Sequence, residues 1–169
     1  MILCAIVLIS GGFNSAPVSA DYKMHCLYLY KFSQLVKWPE PRAKQQFTIG
    51  VVGITPLAPS LEQYLSVKNN SSAVKYKLLW FKSFESIADC DLLYVSADQL
   101  KNFDQIVKKM NGRSTLIVSE VKGLIKRGAG INFIYEEGTS IKVQINKTAI
   151  EAHKLKVSSE LLSLGTVVE

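Results

Sequence analysis

Four short apolar segments, separated by stretches of helical character, limit the fold most strongly. Each segment has four to eight residues, and the set is 47–53, 74–81, 91–96 and 115–119. Helices are predicted between them at 57–67 and 98–110, from apolar residues that recur on one side. Short, nearly all-apolar strands that alternate with helices are typical of a parallel sheet covered on both faces. The sequence therefore predicts a three-layer α/β/α sandwich with a mostly parallel central sheet.

The pattern changes near the C-terminus. Residues 130–135 and 139–146 alternate apolar with polar, and Glu136-Glu137-Gly138 between them is typical of a turn. The sheet is therefore expected to end in an antiparallel C-terminal hairpin. Two short helices follow, at 147–154 and 158–164, with Ser158 or Ser159 as the N-cap of the second.

Residues 22–39, YKMHCLYLYKFSQLVKWP, are predicted to form one amphipathic helix. Tyr28, Leu29, Phe32 and Val36 recur at the spacing of a single helical face. Pro39 is expected to end the helix, because proline disfavours the helical conformation of the residue before it.

The N-terminus has the features of an export signal. Residues 2–9 are an unbroken apolar run, and Val18-Ser19-Ala20 has the small-x-small pattern of a cleavage site. The run is too short to span a membrane, and no Lys or Arg lies between Met1 and Asp21. We expect a signal peptide at 1–20, cleaved after Ala20, and one exported domain at 21–169. The alternative is an apolar N-terminal strand.

The formal net charge of +6 does not by itself indicate nucleic-acid binding. Most lysines are scattered, and the local basic clusters are Lys108-Lys109 with Arg113, and Lys122 with Lys126-Arg127. There is no Arg-rich tract and no alternation of basic with aromatic residues, so solvated faces are the favoured interpretation.

Two cysteines, Cys26 and Cys90, follow the signal peptide. An oxidising compartment would permit a disulfide between them. The alternative is two small buried side chains, which unpaired cysteines often are.

The sequence has few residues suited to catalysis. Its two histidines, His25 and His153, have no partners at metal-ligand spacing, and Cys90 has no adjacent base. There is no G-x-S-x-G motif, phosphate loop or dinucleotide-binding glycine pattern. No cofactor is predicted, and the sequence favours binding over catalysis.

Five motifs follow one another between residues 22 and 168: LYLYKFSQLVKWP, FTIGVVG, CDLLYVS, TLIVSEVKGLIKRGAGINFI and SIKVQINKTAIEAHKLKVSSELLSLGTVV. Their order resembles that of the YfiR family of bacterial periplasmic proteins. The resemblance implies a dimeric, non-catalytic three-layer α/β domain. Such a protein would bind the periplasmic sensor part of a membrane-bound diguanylate cyclase and hold the cyclase inactive. Its release would raise cyclic-di-GMP and promote adhesion and biofilm formation.

The resemblance marks a set of family positions as candidates for function or structure: Trp38, Pro39, Glu120, Gly123, Gly130, Ile145 and Asn146. Trp38 could anchor the core, the glycines could serve backbone geometry, and Asn146 could cap the helix that follows it. The sequence departs from the family at Glu120, where Asp is common, at Ala129, where glycine is usual, and at His153-Lys154, where Ala-Gly is usual.

Two functional hypotheses follow. The first is a periplasmic repressor that binds a membrane-bound sensor, either a diguanylate cyclase or a histidine kinase. The second is a small-molecule-binding module feeding a membrane receptor or sensor kinase, with a pocket near Trp38, Glu120 and Arg127 for an anionic or aromatic ligand. The predicted partner- or ligand-binding residues are Trp38, Glu120, Lys126, Arg127 and Asn146.

Overall fold

A seven-stranded sheet organises the part of the chain that the computed structural model describes, which is residues 22–39, 46–135 and 141–168. The predicted signal peptide and the predicted hairpin turn at 136–138 lie outside these residues. The strands are β2 (Gln46–Val52), β3 (Lys75–Phe81), β4 (Leu92–Val95), β5 (Leu116–Ser119), β6 (Ile131–Tyr135), β7 (Ile141–Ile145) and β9 (Thr166–Val167). A separate two-stranded sheet pairs β1 (Val36–Lys37) with β8 (Lys156–Val157).

The strand order is β3-β2-β4-β5-β6-β7-β9. The first five strands in this order are mutually parallel, and β7 is antiparallel to β6. The short β9 then runs parallel to β7. These pairings confirm the predicted mostly parallel sheet with an antiparallel C-terminal pair.

Five α-helices lie in the described residues: α1 (Tyr22–Leu35), α2 (Leu57–Ser71), α3 (Phe103–Met110), α4 (Lys147–Ala152) and α5 (Ser159–Leu162). Short 3-10 turns add Phe84–Ser86, Ala97–Asn102 and Leu124–Arg127. The predicted helix at 98–110 is therefore a 3-10 turn followed by α3, and α2 extends four residues beyond its predicted end.

The sheet separates two hydrophobic cores, because successive side chains of a strand point to opposite faces. On β4, Leu92 and Tyr94 belong to the core under α1 and α2. Leu93 and Val95 belong to the core under α3. This arrangement is the predicted three-layer sandwich.

The first helix ends earlier than predicted. It stops at Leu35, and Val36 and Lys37 pair with Val157 and Lys156 as strands. Val36 is β-branched and Trp38 precedes a proline, so both positions favour extended backbone. The Trp38-Pro39 step therefore follows a strand rather than ending the helix.

The structure contradicts a disulfide between Cys26 and Cys90. Both side chains are buried, and the two are not bonded to each other. Cys26 lies in the core under α1, whereas Cys90 lies in the core under α3, so the sheet separates the two sulfurs. The alternative of two small buried side chains is confirmed.

Candidate functional site

The chain leaves the parallel strands β2, β4 and β5 at one edge of the sheet, and Glu120 lies there. In parallel sheets, ligands usually bind at this carboxyl edge, where neighbouring strands diverge in their connections. Here the crevice between β2 and β4 is occupied by the chain itself. Ser96 Oγ donates to the Val52 carbonyl at 2.8 Å and also hydrogen-bonds Asp98, whose Oδ2 accepts from Ile54 N at 3.2 Å.

Gly53 allows this close packing. Its φ is +100°, and a Cβ at this position would collide with Ser96 and Asp98. The carboxyl edge of β2 is therefore closed, and the open space at this edge lies beside β5 and β6.

Glu120 immediately follows β5 and is anchored at one oxygen. Its Oε1 accepts a hydrogen bond from Ala97 N at 3.1 Å. Burial raises the pKa of the Glu120 carboxyl, and the negative charge of Asp98 raises it too. Hydrogen bonds from the Tyr94 hydroxyl and the Ala97 amide lower the pKa and offset part of this rise.

Aromatic and imidazole groups surround the inner side of Glu120. His25 is fully buried, its Nε2 lies 3.1 Å from the Tyr135 hydroxyl, and its ring packs edge-on against Phe133 at 4.5 Å between centroids. His25 Nδ1 is buried without a hydrogen-bond partner among the described residues. The buried Tyr94 hydroxyl interacts with the Glu120 carboxyl, and this interaction lowers the pKa of Glu120. Burial lowers the pKa of His25 to about 4. Burial, and to a smaller extent the negative charge of Glu120, raises the pKa of Tyr135 to about 12 and also raises the pKa of Tyr94.

A cavity of about 370 Å³ opens next to this cluster, and we call it the Glu120 cavity. Phe133 and Ile134 supply apolar wall, and Tyr135 and Gln144 supply polar groups. Glu120 and Lys122 bring charges of opposite sign to it. A carboxylate, an ammonium and an aromatic ring bordering one space can bind and orient a small polar molecule.

A second cavity, of about 340 Å³, lies beside Trp38 at the opposite edge of the sheet, and we call it the Trp38 cavity. Trp38 is half-buried, its Nε1 donates to the Asp91 carbonyl at 3.3 Å, and its ring packs edge-on against Phe47 at 5.0 Å. Tyr76 also lines the cavity, with its hydroxyl 3.0 Å from Ser33 Oγ. Asp91, Phe47 and Tyr76 lie just before or at the start of their strands. The Trp38 cavity is therefore at the amino edge, away from Glu120.

Arg127 occupies a third location, on the face covered by α3. Its Nε and Nη2 contact the two oxygens of Asp104 at 3.0 and 2.9 Å, and its guanidinium lies over the Phe103 ring. The ion pair lowers the pKa of Asp104. Lys126 beside it is exposed. The predicted single pocket near Trp38, Glu120 and Arg127 is therefore wrong, because the three side chains lie in three separate places.

Asn146 uses its whole side-chain amide in structural bonds. Its Oδ1 accepts from Ala149 N at 2.9 Å, which caps α4, and its Nδ2 donates to the Ile125 carbonyl at 3.0 Å. The interpretation of Asn146 as a helix cap is confirmed. Ser158 is likewise the cap of α5, since its Oγ accepts from Leu161 N at 3.1 Å.

Sequence reasoning did not identify His25, Tyr94 and Tyr135 as part of a site. The burial of His25 could have been predicted, because it lies four residues before Leu29 and seven before Phe32, on the apolar face of α1. Tyr94 could also have been singled out, because it has the one hydroxyl in the otherwise apolar, buried strand β4. No pattern in the sequence brings Tyr135 next to residue 25, since this contact depends on how α1 packs on β6.

Two general properties of the described residues bear on the kind of site. No helix in ranges 22–39, 46–135 and 141–168 is long and apolar enough to cross a membrane. Within the same ranges, no group of three or more His, Cys, Asp or Glu side chains is placed to hold a metal ion.

In a comparison with known families, residues 22–166 match the family described as YfiR/HmsC-like. No curated protein sequence matches significantly. Among solved structures, the chain is similar to a conserved domain protein from Vibrio cholerae O1 biovar El Tor N16961, with 17% identity and a TM-score of 0.60. This match covers 89% of the chain and 60% of the Vibrio protein.

A second similar structure is an ABC domain in complex with L-Trp from Streptococcus pneumoniae, with 13% identity and a TM-score of 0.53. It is matched over 72% of this chain and 55% of its own length. At such identities both structures support the fold alone, and the chain spans little more than half of each.

Proposed function

Because the chain belongs to the YfiR/HmsC-like family, we propose that it is a periplasmic, non-catalytic regulator that represses a membrane-bound signalling enzyme. In this proposal it binds the periplasmic sensor part of a diguanylate cyclase and holds the cyclase inactive. The observation that carries the proposal is the family match, which runs through the whole domain from α1 to β9. Export by the signal peptide at 1–20 and homodimer formation are parts of the same proposal.

The segment between β5 and β6 is the surface we propose for the partner. Lys122, Lys126 and Arg127 place three cations there, and all three are exposed. Neither Lys122 nor Lys126 has an ion pair among the described residues, so their charges are available to another molecule. A surface of this sign fits an acidic partner surface, which it would attract and orient.

Partner capture tests the proposal. The tagged protein is expressed with its leader in the native bacterium, cross-linked in the periplasm and recovered with its partners. We expect a membrane protein with a periplasmic domain and a cytoplasmic diguanylate cyclase domain. Recovery of no membrane sensor contradicts the proposal.

Charge reversal tests the surface. Lys126→Glu should weaken partner binding and leave the free energy of unfolding nearly unchanged, because exposed substitutions away from special features usually change stability little. Lys101→Glu is the matched control, since Lys101 is also exposed but lies in the 3-10 turn before α3. Equal binding by the Lys126→Glu and Lys101→Glu proteins would place the interface elsewhere.

Arg127 requires a different design, because Arg127→Glu also breaks its ion pair with Asp104. The double variant Arg127→Glu/Asp104→Arg keeps an ion pair with its two charges exchanged. If the partner binds the positive charge at position 127 directly, the single and double variants both lose partner binding. Recovery of binding in the double variant would show that Arg127 acts through the fold.

The Trp38 cavity favours a second candidate function, in which the protein binds a small molecule and thereby regulates a membrane receptor or sensor kinase. Its aromatic lining from Trp38, Phe47 and Tyr76 suits a flat apolar or aromatic ligand. A thermal-shift screen of aromatic metabolites tests it, because a ligand that binds the folded state raises the apparent stability. A hit whose shift persists in the Trp38→Leu protein would not occupy this cavity.

A further inference from the structure

The outer edge of strand β3 is open for part of its length. β3 stands at one end of the seven-stranded sheet and pairs with β2 on one side only. The Asn69 side chain covers the beginning of the other side, because its Nδ2 donates to the Tyr76 carbonyl at 2.9 Å and its Oδ1 accepts from Tyr76 N at 2.7 Å. Beyond Tyr76, no strand in the described part of the chain pairs with this side.

The hydrogen bonds at the two ends of β3 show which backbone groups face outward. Alternate residues of a strand direct their N–H and C=O groups to the same side. Tyr76 directs both groups away from β2, whereas the Phe81 carbonyl accepts from Gly53 N at 3.0 Å, towards β2. Leu78 and Trp80 therefore point outward like Tyr76. Exposed backbone groups of this kind can pair with a strand of another molecule.

Trp80 adds an apolar contact at this edge. Its side chain is 57% exposed, and its Nε1 donates to the Gly53 carbonyl at 2.8 Å, which restrains the ring. Ile54, the residue after Gly53, is 81% exposed. A restrained aromatic side chain loses little conformational freedom when a partner binds, and tryptophan is common among the residues that dominate binding energies.

The charges of this segment are all positive. Between residues 72 and 84 the chain has three lysines, Lys75, Lys77 and Lys82, and no acidic residue. All three are exposed; Lys75 donates to two carbonyls near the end of α2, and neither Lys77 nor Lys82 has an ion pair among the described residues. A second copy of the chain would bring the same lysines from the opposite side, and edge lysines usually prevent such self-pairing. The charge therefore fits an acidic strand.

We propose that the open edge of β3 binds an extended segment of another protein in which acidic and apolar residues alternate. The segment adds a strand whose backbone pairs with Leu78 and Trp80. Because neighbouring strands project their side chains to the same two faces, its apolar side chains lie beside Leu78 and Trp80. Its acidic side chains lie on the other face, beside Lys75 and Lys77. The proposal does not rest on the regulatory function, and the basic segment between β5 and β6 is a separate surface.

Two blocked heptapeptides test the proposal: EVEVEVE and its basic counterpart KVKVKVK. Each is titrated at pH 7 into the isotope-labelled exported protein and followed by NMR. We expect the acidic peptide to bind with a Kd of about millimolar order, because a short flexible strand must be ordered on binding. The amide shifts should be largest at Leu78 and Trp80, and the basic peptide should not bind.

Charge reversal locates the contact. Lys77→Glu should raise the Kd for the acidic peptide at least about threefold, because an attraction at an exposed position becomes a repulsion. The same variant should bind the basic peptide. Lys126→Glu is the matched control, since Lys126 is exposed in the separate basic segment, and it should leave the Kd for the acidic peptide unchanged.

Methylated forms of the acidic peptide test the backbone pairing. In an extended peptide the valine and glutamate amides point to opposite edges, and only one edge can face β3. One form is methylated at every valine nitrogen and the other at every internal glutamate nitrogen. We expect one form to lose binding and the other to keep it.

A second copy of the chain is the competing occupant, and sedimentation of the wild type and of Leu78→Pro tests it. The proline removes an outward N–H that β2 does not use, and proline is tolerated at such edge positions. Both proteins should have the same oligomeric state. A dimer formed by the wild type but not by Leu78→Pro would assign the edge to a second copy and overturn the proposal.

Four further outcomes would overturn it: no binding of the acidic peptide, equal binding of the basic peptide, an unchanged Kd in Lys77→Glu, or equal binding of the two methylated forms. A loss of binding in Lys126→Glu as large as that in Lys77→Glu would show attraction to net charge alone and likewise overturn it. None of these results bears on partner capture, so the failures of the two proposals remain distinguishable.

Discussion

At the scale of single residues, His25 shows how a position on a helix changes the chemistry of a side chain. It lies on the apolar face of α1, and its imidazole is enclosed by Tyr22, Tyr94, Phe133 and Tyr135. Removal from water disfavours the charged imidazolium, so the pKa falls to about 4. The neutral form of His25 is therefore part of the folded state.

This predicts a loss of stability in mild acid. The folded-state pKa is below the unfolded value of about 6.5, so the unfolded state takes up the proton first, and stability falls as the pH drops from about 6.5 towards 4. Urea unfolding at pH 7.5 and pH 4.5 should show that the wild type loses about 2–3 kcal/mol more than His25→Gln, which cannot titrate.

The comparison isolates His25 because other groups titrate in both proteins. Glu120 has the opposite sign, since its pKa is raised and its neutral form stabilises the fold as the pH falls. An equal loss of stability in the wild type and in His25→Gln would mean that His25 is charged in the folded protein.

Lys154 is a residue whose backbone conformation has a cost in stability. The resemblance to the family predicted a glycine here, and Lys154 is the one non-glycine residue with positive φ, at +60°, among the described residues. The left-handed conformation costs a lysine about 1–2 kcal/mol, while glycine loses about 0.5–1 kcal/mol through the entropy of the unfolded chain.

Lys154→Gly should therefore raise the free energy of unfolding by about 0.5–1 kcal/mol. Lys154→Ala removes the same charge but keeps the backbone strain, so its stability should remain near that of the wild type. Chemical denaturation of the three proteins checks the prediction. A gain in Lys154→Ala equal to that in Lys154→Gly would assign the effect to charge.

At the scale of elements, strand positions were predicted most accurately where the apolar pattern of the sequence matches the burial of the side chains. The strands β2 to β5 were predicted within one or two residues. The clearest pattern is that of β4 and β5, whose four residues are all buried, whereas β3 at the end of the sheet exposes Lys75, Lys77 and Trp80. The two-residue strands β1, β8 and β9 were missed. Their pairing depends on contacts between distant segments, such as Val36 with Val157, and not on local pattern.

Asn146 links two elements, the N-terminus of α4 and the 3-10 turn that contains Ile125. Asn146→Ala removes both hydrogen bonds and should cost about 2 kcal/mol of stability, from the lost cap and the unpaired Ile125 carbonyl. Thermal and urea unfolding measure the cost.

Asn146→Asp is the matched variant, because the carboxylate can still cap α4 but cannot donate to Ile125. About half of the loss should return. Full stability in Asn146→Ala, with reduced partner binding, would instead show that Asn146 serves the interface.

At the scale of the whole molecule, the central sheet separates residues that the sequence analysis had placed together. It separates Cys26 from Cys90, and its two edges separate Trp38 from Glu120. The sequence could identify these residues one at a time, but their separation follows from strand direction and from the face each helix covers. A single predicted site thus becomes two cavities and a basic surface.

The proposed partner surface adjoins one of the two cavities. The Glu120 cavity and the basic residues that follow it belong to the segment from β5 to β6, so an occupied cavity lies beside the proposed partner surface. The Trp38 cavity is at the far edge and can be altered without touching either.

The most direct test of the central claim measures intracellular cyclic-di-GMP in the bacterium that encodes the protein. Deletion of the gene should raise the level, because the cyclase loses its repressor, and the full-length gene should restore it. A copy without residues 2–20 should fail to restore it, since the protein would not reach the periplasm. An unchanged cyclic-di-GMP level in the deletion strain would contradict the account.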